Sequence, residues 1–527
     1  MDYTVENVRD PKYGALGDGN RDDTSAITKA LRTVEASGGG IVYLPQGAYK
    51  ISGVLAIGSN TIVRGAGPGT VIFNGNPSNV TMLQINGNHT AVEELVIRYD
   101  TPQVGIGIFW AANTLHTRIS KCTFTGATAQ AVYLDRPGIE HVSVTDCRFD
   151  GVLYGILTNL NANDLSDLRI NNNHFVNISG DAIEINSPIQ MMGVNREPFD
   201  AAYNISIHGN YISCPPEQSS SVNAGFGIGI AGGTYISITG NVIANCRQQG
   251  IHIEDNASHI NITGNTIHDI GSSPDLGTNS GIYVIHSDYL TISSNTIRKC
   301  GDYGIQLDFS MGEQVNEVVL TSNLITECST GGIRITGDTY SDFHVADNIV
   351  NRNGGSGLSI AGQPIGLKVL DNTFRNNAAY GIQLVNGGFL SEFSGNSLYS
   401  NALGPVFFET APPRIPVPMR DQNNYVTAVV SGSYTPWVDA LSLGKAAEGL
   451  LYLVAKQGPL SKTDLYRVVW NGTALTITKI RQDYIGAIDL VTPKMRGSFL
   501  QVQAYRPSST GTTVEFSVQF FGTILIG

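Results

Sequence analysis

The chain has 527 residues, of which 14% are charged and 60 are glycine, and its net charge is −12. Few charges and many glycines exclude a mainly helical protein and favour strands and turns. With 44 acidic residues against 32 basic ones, nucleic acid is excluded as the main partner, because phosphate binding needs a basic surface; an acidic substrate would need a local basic pocket. No run approaches the roughly 18 apolar residues of a membrane span, so no membrane insertion is expected. The opening "MDYTVENVRDPKYG" lacks the basic-then-apolar order of a signal peptide.

The first predicted element is "DDTSAITKALRTVEAS", an amphipathic helix with Asp23, Thr24 or Ser25 to cap it and Gly38–Gly40 to end it. From about residue 90 a unit recurs of the form "I-x-I-x-x-N-x-I", a few polar residues, then "G-I-x-I". "ISITGNVIANCRQQGIHIED" and "LTISSNTIRKCGDYGIQLD" are examples. The turn asparagines are Asn173, Asn210, Asn241, Asn265, Asn295, Asn323, Asn348, Asn372 and Asn396, spaced by 24 to 37 residues.

Each unit holds period-2 strands too short to bury a face alone. Stacked units bury one column of Ile, Val and Leu and let the asparagines form a hydrogen-bonded ladder, at corners where Asn tolerates the left-handed conformation. The expected fold is a parallel β-helix with coils about 4.8 Å apart, with the helix covering the open end. Leucine-rich repeats are the rival solenoid, and their "LxxLxLxxN" pattern is missing. Cys246, Cys300 and Cys328 follow the "N-x-I-x-x" run, with Ile270 standing in on the coil between, and Cys122 and Cys147 form an earlier pair. Buried apolar thiols are the expected state of these cysteines.

After Asn396 the repeat fades into the Pro-rich "TAPPRIPVPMRDQNN", expected as a linker over residues 410–424. Residues 425–527 read as alternating strands of an antiparallel β-sandwich. The expected organisation is therefore all-β: a cap and first coils over 1–52, the parallel β-helix over 53–409, the linker, and the sandwich.

"YGALGDGNRDDTSAI" followed by "GGGIVYLPQGAYKI", within residues 3–52, resembles the opening of pectate-lyase-superfamily β-helices. That group includes bacteriophage tailspike depolymerases, alginate epimerases and lyases, and some glycoside hydrolases. The resemblance implies a right-handed single-stranded β-helix. The small carboxy-terminal β domain is similar to those of tailspikes, which implies a homotrimer, an extracellular or virion location, and a bacterial surface polysaccharide as partner. No amino-terminal virion-anchoring domain is evident.

In the "G-I-x-I-x" strands the x positions point outward and stack from coil to coil. One column reads Glu184, Gly229, His252, Tyr283, Gln306, Arg334, Ser359 and Gln383; the second reads Asn186, Ala231, Glu254, Ile285, Asp308, Thr336, Ala361 and Val385. Lengthened segments at 186–203, 213–225, 271–280 and 308–317 flank the same coils, as the walls of a groove would. Gly229 and Ala231 leave a bare patch for a sugar ring.

Glycoside hydrolysis needs one protonated and one ionised carboxyl. Glu254 is the expected acid and Asp308 the expected base, two coils and thus roughly 9–10 Å apart at Cα, with Glu184 the substitute partner for Glu254. His252 would orient a carboxylate or bind a hydroxyl, Tyr283 and Trp110 would stack on sugars, and Gln306 would contact substrate. Arg334 would hold an acidic sugar or simply neutralise Asp308. A plain solvated strand face is the alternative for each of these residues.

The rival activity is a lyase or epimerase acting on a uronic-acid polymer, with His252, Tyr283 and Arg334 supplying base and cation. "GIHIED" does not match the compact Asp-Pro-His-Glu motif that the resemblance to alginate epimerases would imply. A non-catalytic glycan-binding spike or adhesin is the other alternative. No ligand spacing supports a metal, and no cofactor is expected.

Overall fold

The structure is a computed structural model in which the described residues are 4–526 apart from 79, 101–104, 128, 188–201, 215–224, 272–277, 310–314, 386–391, 409–414, 418, 430–437, 443–445, 458–459, 472, 486–488, 497–498 and 506–512. It is nearly all β, and the chain divides into two compact units, Met1–Asp302 and Tyr303–Gly527. In the first unit, short strands pair in parallel with the strand one coil later. Ile228–Ala231, for example, lies between Ile183–Asn186 and Ile251–Glu254. Inward Ile, Val, Leu and Phe side chains fill the coils, and three of the phenylalanines, Phe124, Phe149 and Phe175, stack at 4.9 and 4.5 Å.

The helix Thr24–Ala36 buries Ile27, Ala30, Leu31 and Val34 against the strands around it. Asp23 stands at its N-cap position, yet its carboxylate accepts instead from the backbone N–H groups of Leu16 and Gly17. The residue expected as a cap thus ties down the preceding chain.

The asparagine ladder forms. Within the first unit the Oδ1 of Asn210 accepts both the backbone N–H and the Nδ2–H of Asn173, and the pattern repeats through Asn241, Asn265 and Asn295. The second unit repeats it from Asn323 to Asn396 and adds a second ladder, Asn353, Asn377 and Asn401.

The left-handed residue at each corner is the one before the ladder position: Asn172 (φ 56°), Gly209 (φ 65°), Gly240 (φ 63°) and Gly264 (φ 67°). That residue turns the chain so that the next side chain points inward to the backbone of the neighbouring coil. The tolerance for positive φ, expected of the ladder asparagines, therefore belongs to their predecessors.

All six cysteines are buried free thiols. Cys147 donates its backbone N–H to Asn173 Oδ1, so it occupies the asparagine-ladder corner, and Cys122 precedes it one coil earlier. Ile270 pairs in register with Cys300 at the other corner. The two groups of cysteines line different corners of the coils.

In the second unit, parallel coils continue to Gly404–Phe408. Residues 415–417 and 419–424, expected as linker, are strand instead: Met419–Val429 pairs in parallel with Glu392–Ser394 and antiparallel with Thr513–Ile526. The remainder forms two antiparallel sheets. One contains Ala446–Gln457, Leu460–Trp470, Leu475–Ile485 and Thr513–Ile526, and the other Val438–Ser442, Asp489–Arg496 and Phe499–Tyr505. Among the described residues no helix is long and apolar enough to cross a membrane.

Candidate active site

The predicted columns hold in register. In the first unit Glu184 pairs with Gly229, Gly229 with His252, and His252 with Tyr283, while Asn186, Ala231 and Glu254 follow the same order. The first column also extends backward through Leu157, Tyr133 and Phe109.

Two carboxyl sites occupy this face, with opposite electrostatic bias. The first is Asp181, three residues before Glu184 and 2% exposed. Its Oδ1 accepts the backbone N–H groups of Gly225 and Phe226, both at 2.7 Å, and the Glu184 carboxyl lies beside it. Burial, followed by the neighbouring Glu184 carboxyl, pushes Asp181 well above the usual carboxylate range. Glu184 is half-buried and also accepts from Asn186 Nδ2 at 2.9 Å. Tyr154 lies near both carboxyls, and burial raises its phenol.

The second site is Glu254. His252 Nε2 lies 3.1 Å from its Oε2, and that hydrogen bond holds the carboxyl below its ordinary range against the opposing effect of burial. The environment favours the ionised form, opposite to what an acid needs. His252 is fixed by Phe226, stacked at 4.6 Å and 4°, and by Tyr283 at 5.5 Å, while its buried Nδ1 has no hydrogen-bond partner among the described residues.

Phe226 also changes the expected bare patch. A Cβ added to Gly229 would lie 3.4 Å from Phe226 Cδ2 and 3.6 Å from Glu184 Cγ. Those are ordinary contact distances, so Gly229 is covered by the Phe226 ring and Glu184 rather than bare, and it is itself buried.

Trp110 is fully buried in the coil interior and offers no face to a sugar, which corrects its assignment as a stacking surface. Gln306, Asp308 and Arg334 belong to the second unit, where Gln306 pairs with Arg334 and Asp308 with Thr336. Gln306 is buried there, and the Arg334 guanidinium lies 5.5 Å from the Tyr303 ring centre. The lengthened segments expected as groove walls have their central residues, 188–201, 215–224, 272–277 and 310–314, outside the described residues. Among the described residues no three His, Cys, Asp or Glu side chains gather as they would around a metal ion.

Residues 5–195 match the family described as "Rhamnogalacturonase A/epimerase, pectate lyase-like", and residues 199–398 match "Right handed beta helix region". The chain is a pectate-lyase-like right-handed parallel β-helix protein.

This β-helix protein is 48% identical over 80 residues to mannuronan C5-epimerase AlgE5 of Azotobacter vinelandii, a match covering 14% of the chain and 8% of the epimerase. It is 44% identical over 55 residues to the pre-neck appendage protein of Bacillus phage B103, covering 10% of the chain and 6% of that protein. The chain thus spans a small part of the length of these relatives. Among solved structures it is similar to the catalytic unit of the GH87 α-1,3-glucanase of Streptomyces thermodiastaticus strain HF3-3. That match has a TM-score of 0.53 and 17% identity over 69% of this chain and 68% of the other.

Proposed function

We propose that this β-helix protein is a polysaccharide depolymerase that cleaves a bacterial surface polysaccharide by hydrolysis, with Glu184 as acid and Glu254 as base. The observation that carries the reading is the opposed bias of two neighbouring carboxyl sites: burial and the adjacent Glu184 raise the proton affinity of Asp181, and the His252 hydrogen bond lowers that of Glu254. Groups whose surroundings push their proton affinities apart divide naturally into acid and base. Glu184 is the half-buried member of its pair, so it hands the proton to the glycosidic oxygen, and Asp181 holds Glu184 in place. Glu254, oriented by His252, takes a proton from the water that attacks the anomeric carbon as the C–O bond breaks.

Glu184 and His252 are in register two coils apart, roughly 10 Å at Cα, and Glu254 lies two residues further along its strand. Side chains leaning across Phe226 would approach the about 6.5–9.5 Å carboxyl separation that admits a water and inverts the anomeric centre. The names of the similar proteins, an α-1,3-glucanase and a mannuronan epimerase, support a carbohydrate polymer as the substrate class. A virion location belongs to the same proposal, supported by the phage appendage protein among the relatives, and a homotrimer is proposed with it from the tailspike resemblance of the sequence.

The test is mass spectrometry of products from a panel of bacterial surface polysaccharides. Water-added, saturated ends are expected, and Glu184→Gln and Glu254→Gln should each lower turnover by about 10²–10⁴-fold, the usual worth of a general acid or base. Unsaturated uronic ends would show a lyase instead. Binding without cleavage would show an adhesin, and near-normal turnover in both variants would remove the assignment.

A further inference from the structure

Beyond the two carboxyl sites, the same outward column carries a cluster with a different chemistry. Phe109 and Tyr133 are half-buried, in register on successive coils, with ring centres 5.7 Å apart. Tyr133 pairs with Leu157 and Leu157 with Glu184, so Tyr133 precedes Glu184 by two coils, about 10 Å. The exposed Arg136 guanidinium lies 4.8 Å from the Phe109 ring centre.

The cluster is held from below. Asp135 is 7% exposed, and its carboxylate accepts from the Tyr133 hydroxyl at 2.9 Å and from Asn161 N and Nδ2 at 3.0 and 3.2 Å. Asn159 Nδ2 donates to the Tyr133 hydroxyl at 3.2 Å. Asp135 is thus satisfied without Arg136, which gives it one N–H to its backbone carbonyl at 2.7 Å and a Nη1 contact of 3.9 Å to its carboxylate. The Arg136 side chain is 44% exposed beside this aromatic surface, on a chain whose net charge is −12.

We infer that Phe109, Tyr133 and Arg136 form a subsite for a carboxylate-bearing sugar, on the amino-terminal side of the Asp181–Glu184 pair. This deepens the depolymerase reading and rests on it for the direction of the bound chain. A fork-shaped cation recognises a carboxylate through two parallel hydrogen bonds, and the aromatic surface takes the apolar face of the ring. A polymer lying along the stacked coils advances about one coil per sugar residue, so the anionic residue would sit a few sugars from the cleaved bond.

The test uses the full chain and a panel of purified bacterial capsular and exopolysaccharides, each beside its carboxyl-reduced form, with binding measured by calorimetry. The polymers bound are expected to be acidic. Carboxyl reduction should weaken binding about tenfold or more, and Arg136→Gln should bring the native form down to the level of the reduced one. Arg136 is exposed, so an unchanged melting temperature in that variant separates lost recognition from lost fold. Exclusive binding of neutral polymers, no binding to any acidic one, or an Arg136→Gln protein that keeps the native-to-reduced ratio would overturn the subsite. Glu184→Gln, assayed in parallel, should keep that ratio while losing cleavage. If the ratio depends on Arg136 but no polymer is cleaved even by the unmodified chain, the hydrolase reading fails and the subsite stands. If Arg136→Gln cleaves the native acidic polymer at the unmodified rate and keeps the native-to-reduced binding ratio, the subsite fails and the hydrolase reading stands.

Discussion

At the scale of single residues, Asp181 is the group whose replacement separates stability from chemistry. Its folded-state proton affinity is raised above the ordinary value of 3.8. The stability this adds is complete below that value and is lost as pH rises through the folded value. At neutral pH the unfolded carboxyl is ionised, so folding must either bury a charge beside Glu184 or take up a proton, a cost that Asp181→Asn removes, while the amide oxygen still accepts from Gly225 and Phe226. The melting temperature of the variant at neutral pH should equal or exceed that of the unmodified protein, by about 1–3 °C, while turnover falls. A clear drop in melting temperature would show that the carboxylate itself holds the fold.

Glu254 has the opposite sign. Its proton affinity is lowered from 4.5 by His252, so its contribution is present above that value and disappears as pH falls through the folded one. Turnover should accordingly follow a bell, with an acid limb below pH 4.5 set by Glu254 and an alkaline limb above 3.8 set by Asp181. Replacing His252 by Phe should move the acid limb upward, and an unmoved limb would free Glu254 from His252. Neither Asp181 nor Phe226 was legible in the sequence. An aspartate just before a strand looks like any corner aspartate, and Phe226 adjoins what reads as an inserted loop.

At the scale of elements, the stacked corners carry the fold. Asn241 Oδ1 accepts two hydrogens from Asn210, and its Nδ2 donates to the Ile207 carbonyl. Asn241→Ala would leave two donors and one acceptor unmatched in a buried corner. Each such group costs about 1–3 kcal/mol, so a loss of roughly 3 kcal/mol or more is expected in the chemical-denaturation midpoint. A loss below about 1 kcal/mol would show that the corner relaxes to water. The ladder itself was legible because identical residues recur at one position. Which residue bends was less so: the residue before each ladder asparagine, whether Asn172, Gly209, Ser294 or Asp347, takes positive φ, and the ladder residues point inward. The column was traced in sequence only from Glu184 because the asparagine repeat begins at Asn173. In earlier coils Cys122 and Cys147 hold that corner, which hid Phe109 and Tyr133.

At the scale of the whole molecule, composition and assembly decide what the protein meets. A chain of net charge −12 repels acidic polymers at long range, so recognition of one must come from a local cation such as Arg136 and should weaken with added salt. The trimer implied by the tailspike resemblance is checked by light scattering, with a mass near three times the 56.3 kDa of the chain expected. A monomeric mass at micromolar concentration would remove it. Turnover of Asp308→Asn within a few-fold of the unmodified protein is the outcome expected if the first-unit carboxyls carry the chemistry; its abolition would restore Asp308 as base.

The sequence by itself determined the coil repeat, the buried column, the asparagine ladder and which residues share the outward face. All of these follow from the strict alternation of strands and the recurrence of turns. Tertiary structure decided which carboxyls are pushed toward or away from holding a proton and which rings they lie against. Those outcomes depend on burial and on contacts between coils, such as Asp181 with the Gly225–Phe226 backbone and His252 with Phe226, and periodicity is blind to both.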